Sequence, residues 1–402
     1  MAFAGAGFGF ASWASRIPQV KARLDLDPSQ LGLLLLSLAA GSVISLPLAG
    51  PIVARFGSRR AVMATGGLGG LGLIVVAFGY RVGVAPVVAG LCCWGMASGT
   101  WDVAMNVQGA VVERLLGRSV MPRFHAGFSM GTVVAALGGA AMVALGVSVT
   151  VHLAIVGVIV AAAVPAMARD FVPDSAGAVP PTRQATGAGG PGEREPARAR
   201  DSLGAWREPR TLLVGVFVLG FAFAEGTGND WISLATIARH HVAAALGTLV
   251  FAVFLGAMTS ARWFGPAALD RYGRVPVVRV LAGLAVTGLV LFVFAPGMVL
   301  AFVGALLWGT GTSLGFPVGM SAGADEPALA APRVGVIATI GYCAFLGGPP
   351  LIGFVGQQSS VPHALVAVVV VMVIAGAVAG SVRPPRAAAA AARAAGIEQT
   401  SN

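Results

Sequence analysis

Twelve long apolar stretches follow one another along this chain of 402 residues. A helix needs roughly 20 apolar residues to cross the hydrocarbon core of a bilayer, where backbone groups must bond to one another because water is absent. Charged residues make up only 10% of the chain, against about a quarter in soluble domains. The sequence therefore predicts an all-α integral membrane protein with twelve transmembrane helices. We place them near 2–18, 30–54, 61–80, 85–108, 125–147, 150–168, 211–231, 244–262, 275–295, 297–320, 334–356 and 363–382.

The second half of the sequence repeats the first at an offset of about 215 residues. The Arg-Phe-Gly at 55–57 recurs as Arg-Tyr-Gly at 271–273, and Trp94 recurs as Trp308. Internal duplication in a protein with many spans is typical of two bundles that move about a shared central site. We therefore predict two pseudo-symmetric six-helix bundles. Their bounds are 1–168 and 211–382, with a cytoplasmic linker at 169–210 and a cytoplasmic tail at 383–402.

The predicted linker is rich in Pro, Gly and Ala and has no periodic apolar face. This composition indicates a disordered or loosely ordered segment. It separates six spans from six, which agrees with the duplication.

Basic residues are distributed unevenly between alternate loops. With a cytoplasmic N-terminus, 21 of the 26 basic residues lie in cytoplasmic loops, the linker or the tail, and Arg262 at the end of the eighth span is counted among these loop charges. This bias follows the positive-inside rule and predicts a multi-pass protein of the bacterial cytoplasmic membrane with both termini in the cytoplasm. Because topology accounts for the net charge of +10, we predict the lipid bilayer as a partner and no nucleic acid.

The first span begins at Met1 and reaches Arg16 after 15 residues, which is short for a transmembrane helix. The shortness favours the hypothesis that the true start of the protein lies further upstream. Arg16 follows Trp13 at the predicted outer end, where we expect its side chain to extend to the membrane interface. Contact with an anionic substrate is the alternative.

A basic loop follows the second span of each half, and both copies are similar to the signature G-x-x-x-D-R-x-G-R-K/R of the major facilitator superfamily. The first copy has Ala54 at the Asp position, whereas the second keeps Asp270 and has Pro266 at the Gly position. The resemblance implies that superfamily's fold and a gating loop. A charge latch between helix ends needs both signs, so we expect a weaker latch in the first half, with topology alone as the alternative. The gating-loop candidates are Arg55, Gly57, Arg59, Asp270, Arg271, Gly273 and Arg274.

Three further segments resemble the YbjJ-like branch of that superfamily, which is related to the fucose permeases. They are WDVAMNVQG at 101–109, MPRFHAGFS at 121–129 and GNDW at 228–231. In the fucose permeases a carboxylate in the fourth span is associated with proton coupling. The resemblance implies the same role for Asp102.

The fourth span carries polar groups along one stripe. Ser98, Asp102 and Asn106 are spaced i, i+4 and i+8, which places them on one face of a helix. Trp94 and Trp101 flank this stripe. A carboxylate beside amide, hydroxyl and indole groups predicts a site for a polyol or sugar, with a structural carboxylate as the alternative.

The seventh span carries a second ionisable group. Glu225 and Asn229 are spaced i and i+4, with Gly226 and Gly228 between them. We expect the glycines to weaken this helix where it lines a cavity. Glu225 is therefore a second candidate for proton coupling, whereas Asp230 is expected near the outer surface, where water solvates it.

These features predict a proton-coupled secondary transporter that moves a small polar, sugar-like solute by alternating access. The substrate-binding candidates are Trp13, Trp94, Ser98, Trp101, Asn106, Asn229 and Trp308. We predict a functional monomer that is not an enzyme and uses no cofactor or metal, since the chain has no nucleotide-binding loop and its few histidines are scattered. A drug or metabolite efflux antiporter and a non-transporting membrane receptor remain alternatives.

Overall fold

A computed structural model describes residues 1–116, 120–177, 204–326 and 329–384, and these residues form helices without β-strands. Most of the predicted linker, at 178–203, and the tail from residue 385 lie outside the described residues. The described residues have the architecture of two six-helix bundles.

The described residues of the first half form seven α-helices, the first two of which make up one interrupted span. They are α1 (Ala2–Ala14), α2 (Ile17–Arg23), α3 (Pro28–Phe56), α4 (Ser58–Gly79), α5 (Val84–Leu116), α6 (Met121–Ala144) and α7 (Val149–Ala168). A short 3-10 helix follows at Asp174–Gly177.

From Pro209 onwards the described residues form eight α-helices, and two of the spans in this half are interrupted. They are α8 (Pro209–His240), α9 (Ala244–Tyr272), α10 (Arg274–Phe294), α11 (Met298–Thr312), α12 (Gly315–Gly323), α13 (Ala330–Gln358), α14 (Val361–Ala364) and α15 (Val366–Val378). Eleven helices in the described residues are long and apolar enough to cross a membrane. The interrupted α1–α2 span, which is too short in each piece to count among these eleven, is the twelfth.

Several helices extend well beyond the predicted spans, because a hydropathy pattern ends at the first charged residue and a helix does not. The seventh span was predicted to end at Trp231 and the eighth at Arg262, yet α8 continues to His240 and α9 to Tyr272. Arg262 was counted among the loop charges, and this was wrong, because it lies inside α9.

The expected weak point in α8 is also absent, because the helix is continuous through Gly228. A Cβ at Gly228 would collide with the Phe254 ring on α9. This glycine therefore permits close packing of two helices. The interruptions lie elsewhere, at Ser15–Arg16 between α1 and α2 and at Ser313–Leu314 between α11 and α12.

The two halves meet where α3 packs against α13 and α6 against α9. We call the helix ends that carry Arg55 and Arg271 the basic face, and the ends that carry Arg16 the opposite face. Near the opposite face, Gly32 on α3 lies against the backbone of Pro349 on α13, and Ser29 Oγ donates a hydrogen bond to Gly353 O at 3.5 Å. The halves are therefore in contact at the opposite face.

Candidate functional site

Charged side chains from both halves face one another between the bundles. Asp102 on α5 lies within electrostatic range of His125 on α6 and of Tyr342 on α13. His125 is in turn within range of Arg262 on α9. Asp102 and His125 are exposed although both belong to membrane-spanning helices. Because the halves touch at the opposite face, we infer that these four residues, the central group, line a cavity that is open towards the basic face.

Asp102 is held in place by its own helix. Asn106 Nδ2 donates hydrogen bonds to the Asp102 backbone oxygen at 2.8 Å and to its Oδ1 at 3.2 Å. The i, i+4 spacing thus brings together the two side chains that the sequence placed on one stripe. Ser98, one turn earlier, is half-buried, and its hydroxyl forms no hydrogen bond with the described residues.

Glu225 is neutralised by an arginine that the sequence did not single out. Arg262 Nη2 donates to Glu225 Oε2 at 2.6 Å, and their side chains are 26% and 16% exposed. Arg262 Nε also donates to Ser313 O at 3.0 Å, a carbonyl at the interruption between α11 and α12. One arginine therefore joins α8, α9 and the broken span.

The four tryptophans named as substrate-binding candidates are buried in the bundles. Trp13, Trp94, Trp101 and Trp308 are between 0% and 1% exposed. Trp94 and Trp101 pack edge to face with ring centroids 6.5 Å apart, and Trp308 packs in the same way against Phe254 at 5.3 Å. In this conformation these rings form the helix packing around the cavity, and their role in binding stays a prediction.

Two polar residues of α8 lie deep in the membrane. Asn229 Oδ1 is buried and has no hydrogen-bond partner among the described residues. Asp230 was expected near the outer surface, but the extension of α8 to His240 places it about 15 Å below that helix end. The expectation that Asp230 is solvated at the surface is therefore wrong, because the helix is longer than its apolar stretch.

The two gating loops share one backbone geometry. Gly57 and Gly273 have φ angles of 82° and 80° and connect α3 to α4 and α9 to α10. Side chains other than glycine rarely adopt such angles. The arginines before them lie over the adjacent rings, Arg55 at 5.5 Å from Phe56 and Arg271 at 5.3 Å from Tyr272. Arg59 and Asp270 are exposed.

The second half has a charge latch at the basic face, but its carboxylate is not Asp270. Asp325, directly after α12, accepts from Arg274 Nη1 and from Arg210 Nη2, both at 2.7 Å. Arg274 of the gating loop thus pairs with Asp325, which lies outside the signature, and the gating role of this pair stays a prediction. Sequence reasoning missed Asp325 because only the fold brings the end of α12 beside the start of α10.

The first half has a different contact at the matching place. Ser58 at the start of α4 donates from its backbone N to Asp174 Oδ2 at 2.7 Å and from its hydroxyl to Asp174 Oδ1 at 2.5 Å. The single hydroxyl proton is then used, so Gln108 donates to Ser58 Oγ at 2.8 Å with its amide oriented to bond Val172 as well. Asp174 belongs to the predicted loose linker, whose first residues are in fact ordered.

The arrangement can bind a polar solute and exchange a proton with it or with water. It offers an exposed carboxylate, an imidazole, a phenol and a partly exposed guanidinium. The described residues contain no cluster of His, Cys, Asp or Glu that could hold a metal ion.

Comparison with known proteins agrees with this architecture. The model of the Major Facilitator Superfamily matches residues 1–342. An uncharacterized MFS-type transporter of Yersinia pestis is 29% identical over 371 residues, which cover 92% of this chain and 91% of that protein. The membrane protein MosC of Rhizobium meliloti is 26% identical over 90% of this chain and 84% of its own length.

Solved structures show the same fold at low sequence identity. The nucleoside transporter NupG has a TM-score of 0.72 at 14% identity, with 95% of this chain and 98% of that chain covered. A bacterial homolog of the human lysosomal transporter Spinster, in an inward-facing and occupied conformation, has a TM-score of 0.70 at 13% identity, with coverage of 96% and 97%. With a family model that covers most of its length, the chain belongs to the Major Facilitator Superfamily, whose members are membrane transporters and not enzymes.

Proposed function

We propose that this protein is a proton-coupled secondary transporter of a small polar solute, and that Asp102 carries the coupled proton. The observation that best supports this proposal is the contrast between Asp102 and Glu225, the two candidates for proton coupling in the membrane-spanning helices. Asp102 is exposed to the central cavity, and no Arg or Lys forms an ion pair with it among the described residues. Glu225 is bound by Arg262 at 2.6 Å.

A free carboxylate is better suited to exchange a proton during transport than one held by an arginine. Protonation removes a charge from a partly desolvated site, which changes the relative free energies of the conformations that bury or expose it. Neutralising Glu225 would leave the Arg262 charge uncompensated. We therefore assign the Glu225–Arg262 pair to holding α8, α9 and the broken span together.

The central group also fits a polar solute. Asp102 and Asn106 supply acceptors and a donor on one side of the cavity, whereas Tyr342 and Arg262 belong to the other half. A solute bound between them contacts both bundles. Such contacts are what alternating access requires, since the two bundles move about the site.

The test uses purified protein in proteoliposomes with radiolabelled glucose, fucose, glucuronate and tetraphenylphosphonium. Accumulation driven by a pH gradient reports coupling, and counterflow without a gradient reports translocation. We expect Asp102→Asn to lower gradient-driven accumulation by about 10-fold or more while counterflow persists. The reason is that the solute still binds and crosses, but no proton travels with it.

Asp170→Asn provides the control, because it makes the same chemical change at an exposed carboxylate outside the cavity. It should leave both measurements unchanged. Wild-type accumulation by Asp102→Asn would contradict the assignment. A pH gradient that drives no solute in either direction would contradict proton coupling itself.

The same assay separates import from export. Efflux antiport predicts that an inwardly acidic gradient drives solute uptake into the vesicles, whereas symport predicts uptake when the outside is acidic. A receptor would bind a solute and show no counterflow.

A further inference from the structure

Arg16 is buried in an unusual way for a residue at the end of a membrane span. It lies at the interruption between α1 and α2 and is 1% exposed, so the expectation that it extends to the interface is wrong. Its Nε donates a hydrogen bond to His152 Nδ1 on α7 at 2.8 Å. Its Nη2 is buried and has no partner among the described residues.

The charge of Arg16 is uncompensated. A ring nitrogen that accepts a hydrogen bond carries no proton, so His152 is neutral here, with its proton on Nε2. No Asp or Glu of the described residues forms an ion pair with Arg16. Among the described residues, the one hydrogen-bond acceptor of this buried guanidinium is therefore a neutral imidazole.

Neighbouring polar atoms are also without partners. Both amide atoms of Gln19, three residues further along α2, are buried and unbonded, as is the hydroxyl of Ser12 one turn earlier. Buried polar groups in native proteins are normally hydrogen-bonded, and a charged donor left unbonded is the most costly kind. A buried guanidinium edge without an acceptor among the described residues points to an acceptor supplied from outside the chain.

The position of Arg16 connects it to the transport path. Thr248 Oγ1 on α9, which donates to Ala244 O at 3.0 Å, lies 3.5 Å from the backbone oxygen of Ser15, the residue before Arg16, and α2 contacts α8. Both contacts join the first half to the second near the opposite face. Separation of the halves at this face would therefore move the backbone on either side of Arg16 relative to the second half.

We propose that Arg16, with Gln19, recognises a carboxylate group on the transported solute when the opposite face opens. A guanidinium pairs with a carboxylate through two parallel N–H donors, and the amide nitrogen of Gln19 adds a third donor. His152 keeps the guanidinium oriented through Nε and leaves the Nη2 edge for the ligand. This inference rests on the proposed transport function and specifies the class of its solute as an organic acid with hydroxyl groups.

The experiment compares matched neutral and anionic probes. Purified protein is titrated with glucuronate against glucose, with gluconate against glucitol, and with glucose 6-phosphate, and thermal stabilisation reports binding. We expect the carboxylates to half-saturate wild-type protein at a concentration about 10-fold lower than their neutral partners, and Arg16→Gln to remove this preference. Arg16→Lys should retain part of it, because it keeps the charge and loses the planar fork.

Arg23→Gln is the matched control, since Arg23 is an exposed arginine at the end of the same helix α2. It should bind like wild type. If Arg16→Gln does not purify as a folded protein, Arg16→Lys carries the test. Four results would overturn the proposal: no shift with either carboxylate, a preference for the neutral sugars, tighter binding of the phosphate, or a carboxylate preference that survives both Arg16 variants.

Failure of the proposed function has a different signature. If Asp102→Asn keeps its gradient-driven accumulation, proton coupling is assigned to the wrong residue, yet the carboxylate preference at Arg16 would stand. If Asp102→Asn loses accumulation while Arg16→Gln keeps the preference, the coupling stands and the carboxylate site falls.

Discussion

The two halves of the duplicated scaffold are held differently at the basic face. Each has a glycine turn with positive φ, and the residue after the glycine begins the next helix. In the second half this residue is Arg274, which pairs with Asp325 at 2.7 Å. In the first half it is Ser58, which bonds Asp174 through its backbone and hydroxyl groups. The backbone turn is the same in both halves, while the side chains that hold it differ.

The difference shows where a latch of this kind obtains its carboxylate. The signature position within the loop is Ala54 in the first half and the exposed Asp270 in the second. Asp325 follows α12 and Asp174 lies after α7, so both anchoring carboxylates come from outside the loop. The first half, which has Ala54 at the signature position, takes its carboxylate from the start of the linker.

The largest effect is expected when the second-half latch is broken. Asp325→Asn removes the partner of two arginines from a side chain that is 6% exposed. Because Arg210 and Arg274 are themselves 32% and 24% exposed, we expect a loss of about 2 kcal/mol in the free energy of unfolding, below the value for fully buried pairs. The melting temperature in detergent measures it.

Asp270→Asn is the matched control for that variant. It makes the same change at the signature carboxylate, which forms no ion pair with the described residues. We expect a shift of less than about 0.5 kcal/mol, as for most surface substitutions. Equal losses for the two variants would mean that Asp270 contributes as much as Asp325, which would contradict the comparison between the two halves.

A smaller effect is expected in the first half. Asp174→Asn replaces an anionic acceptor of two hydrogen bonds from Ser58 by a neutral one, and we expect a loss of about 1 kcal/mol. The change should also release the segment 171–177. Hydrogen–deuterium exchange of the peptide that contains this segment should therefore increase, while exchange of α10 in the second half stays the same.

The neighbouring exposed Asp170 offers a control with the same change of charge. Asp170→Asn should alter neither the melting temperature nor the exchange of the segment. If both variants accelerate exchange equally, the effect comes from net charge near the membrane surface. The contact to Ser58 would then not hold the linker.

The helices and the duplication could be predicted from the sequence because both are local or periodic features. Runs of apolar residues located all twelve spans, and the Arg-x-Gly repeat located both turns. The sequence also placed Asp102 and Asn106 side by side, and their side chains do form a hydrogen bond. Residues at i and i+4 on a helix are neighbours whatever surrounds the helix.

The contacts that define the sites could not be predicted in this way. Arg262 bonds Glu225 from 37 residues away, and Arg16 bonds His152 from 136 residues away. Such pairs depend on which helix faces which in the folded protein. The spacing of residues along the chain does not contain that information. A hydropathy profile also ends an apolar span at a charge, which assigned Arg262 to a loop and gave no reason to pair it with Glu225.

The smallest effect concerns pH and the ion pair next to the second-half latch. Arg333 donates two hydrogen bonds of 2.7 Å to Glu208, the residue before α8, and these hold the pKa of the Glu208 carboxyl below its ordinary value of 4.5. A carboxyl whose pKa is lower in the folded state contributes stability above its unfolded pKa. This contribution is lost as the pH falls through the folded pKa.

The melting temperature of wild-type protein should therefore fall more steeply than that of Glu208→Gln as the pH is lowered from about 5 to about 3. At pH about 5 wild type should melt about 2 °C higher than the variant, and at pH about 3 the two melting temperatures should be equal. Glu326→Gln is the control, because Glu326 contacts the same arginine at 3.2 Å and is 46% exposed. The melting temperature of Glu326→Gln should change with pH more nearly as that of wild type does. Parallel profiles for wild type and Glu208→Gln would show that Arg333 stabilises both protonation states of Glu208 equally. The charge of Glu208 would then add nothing to the stability of the second half, and the difference between the halves would reduce to the residue that follows each glycine and its carboxylate partner.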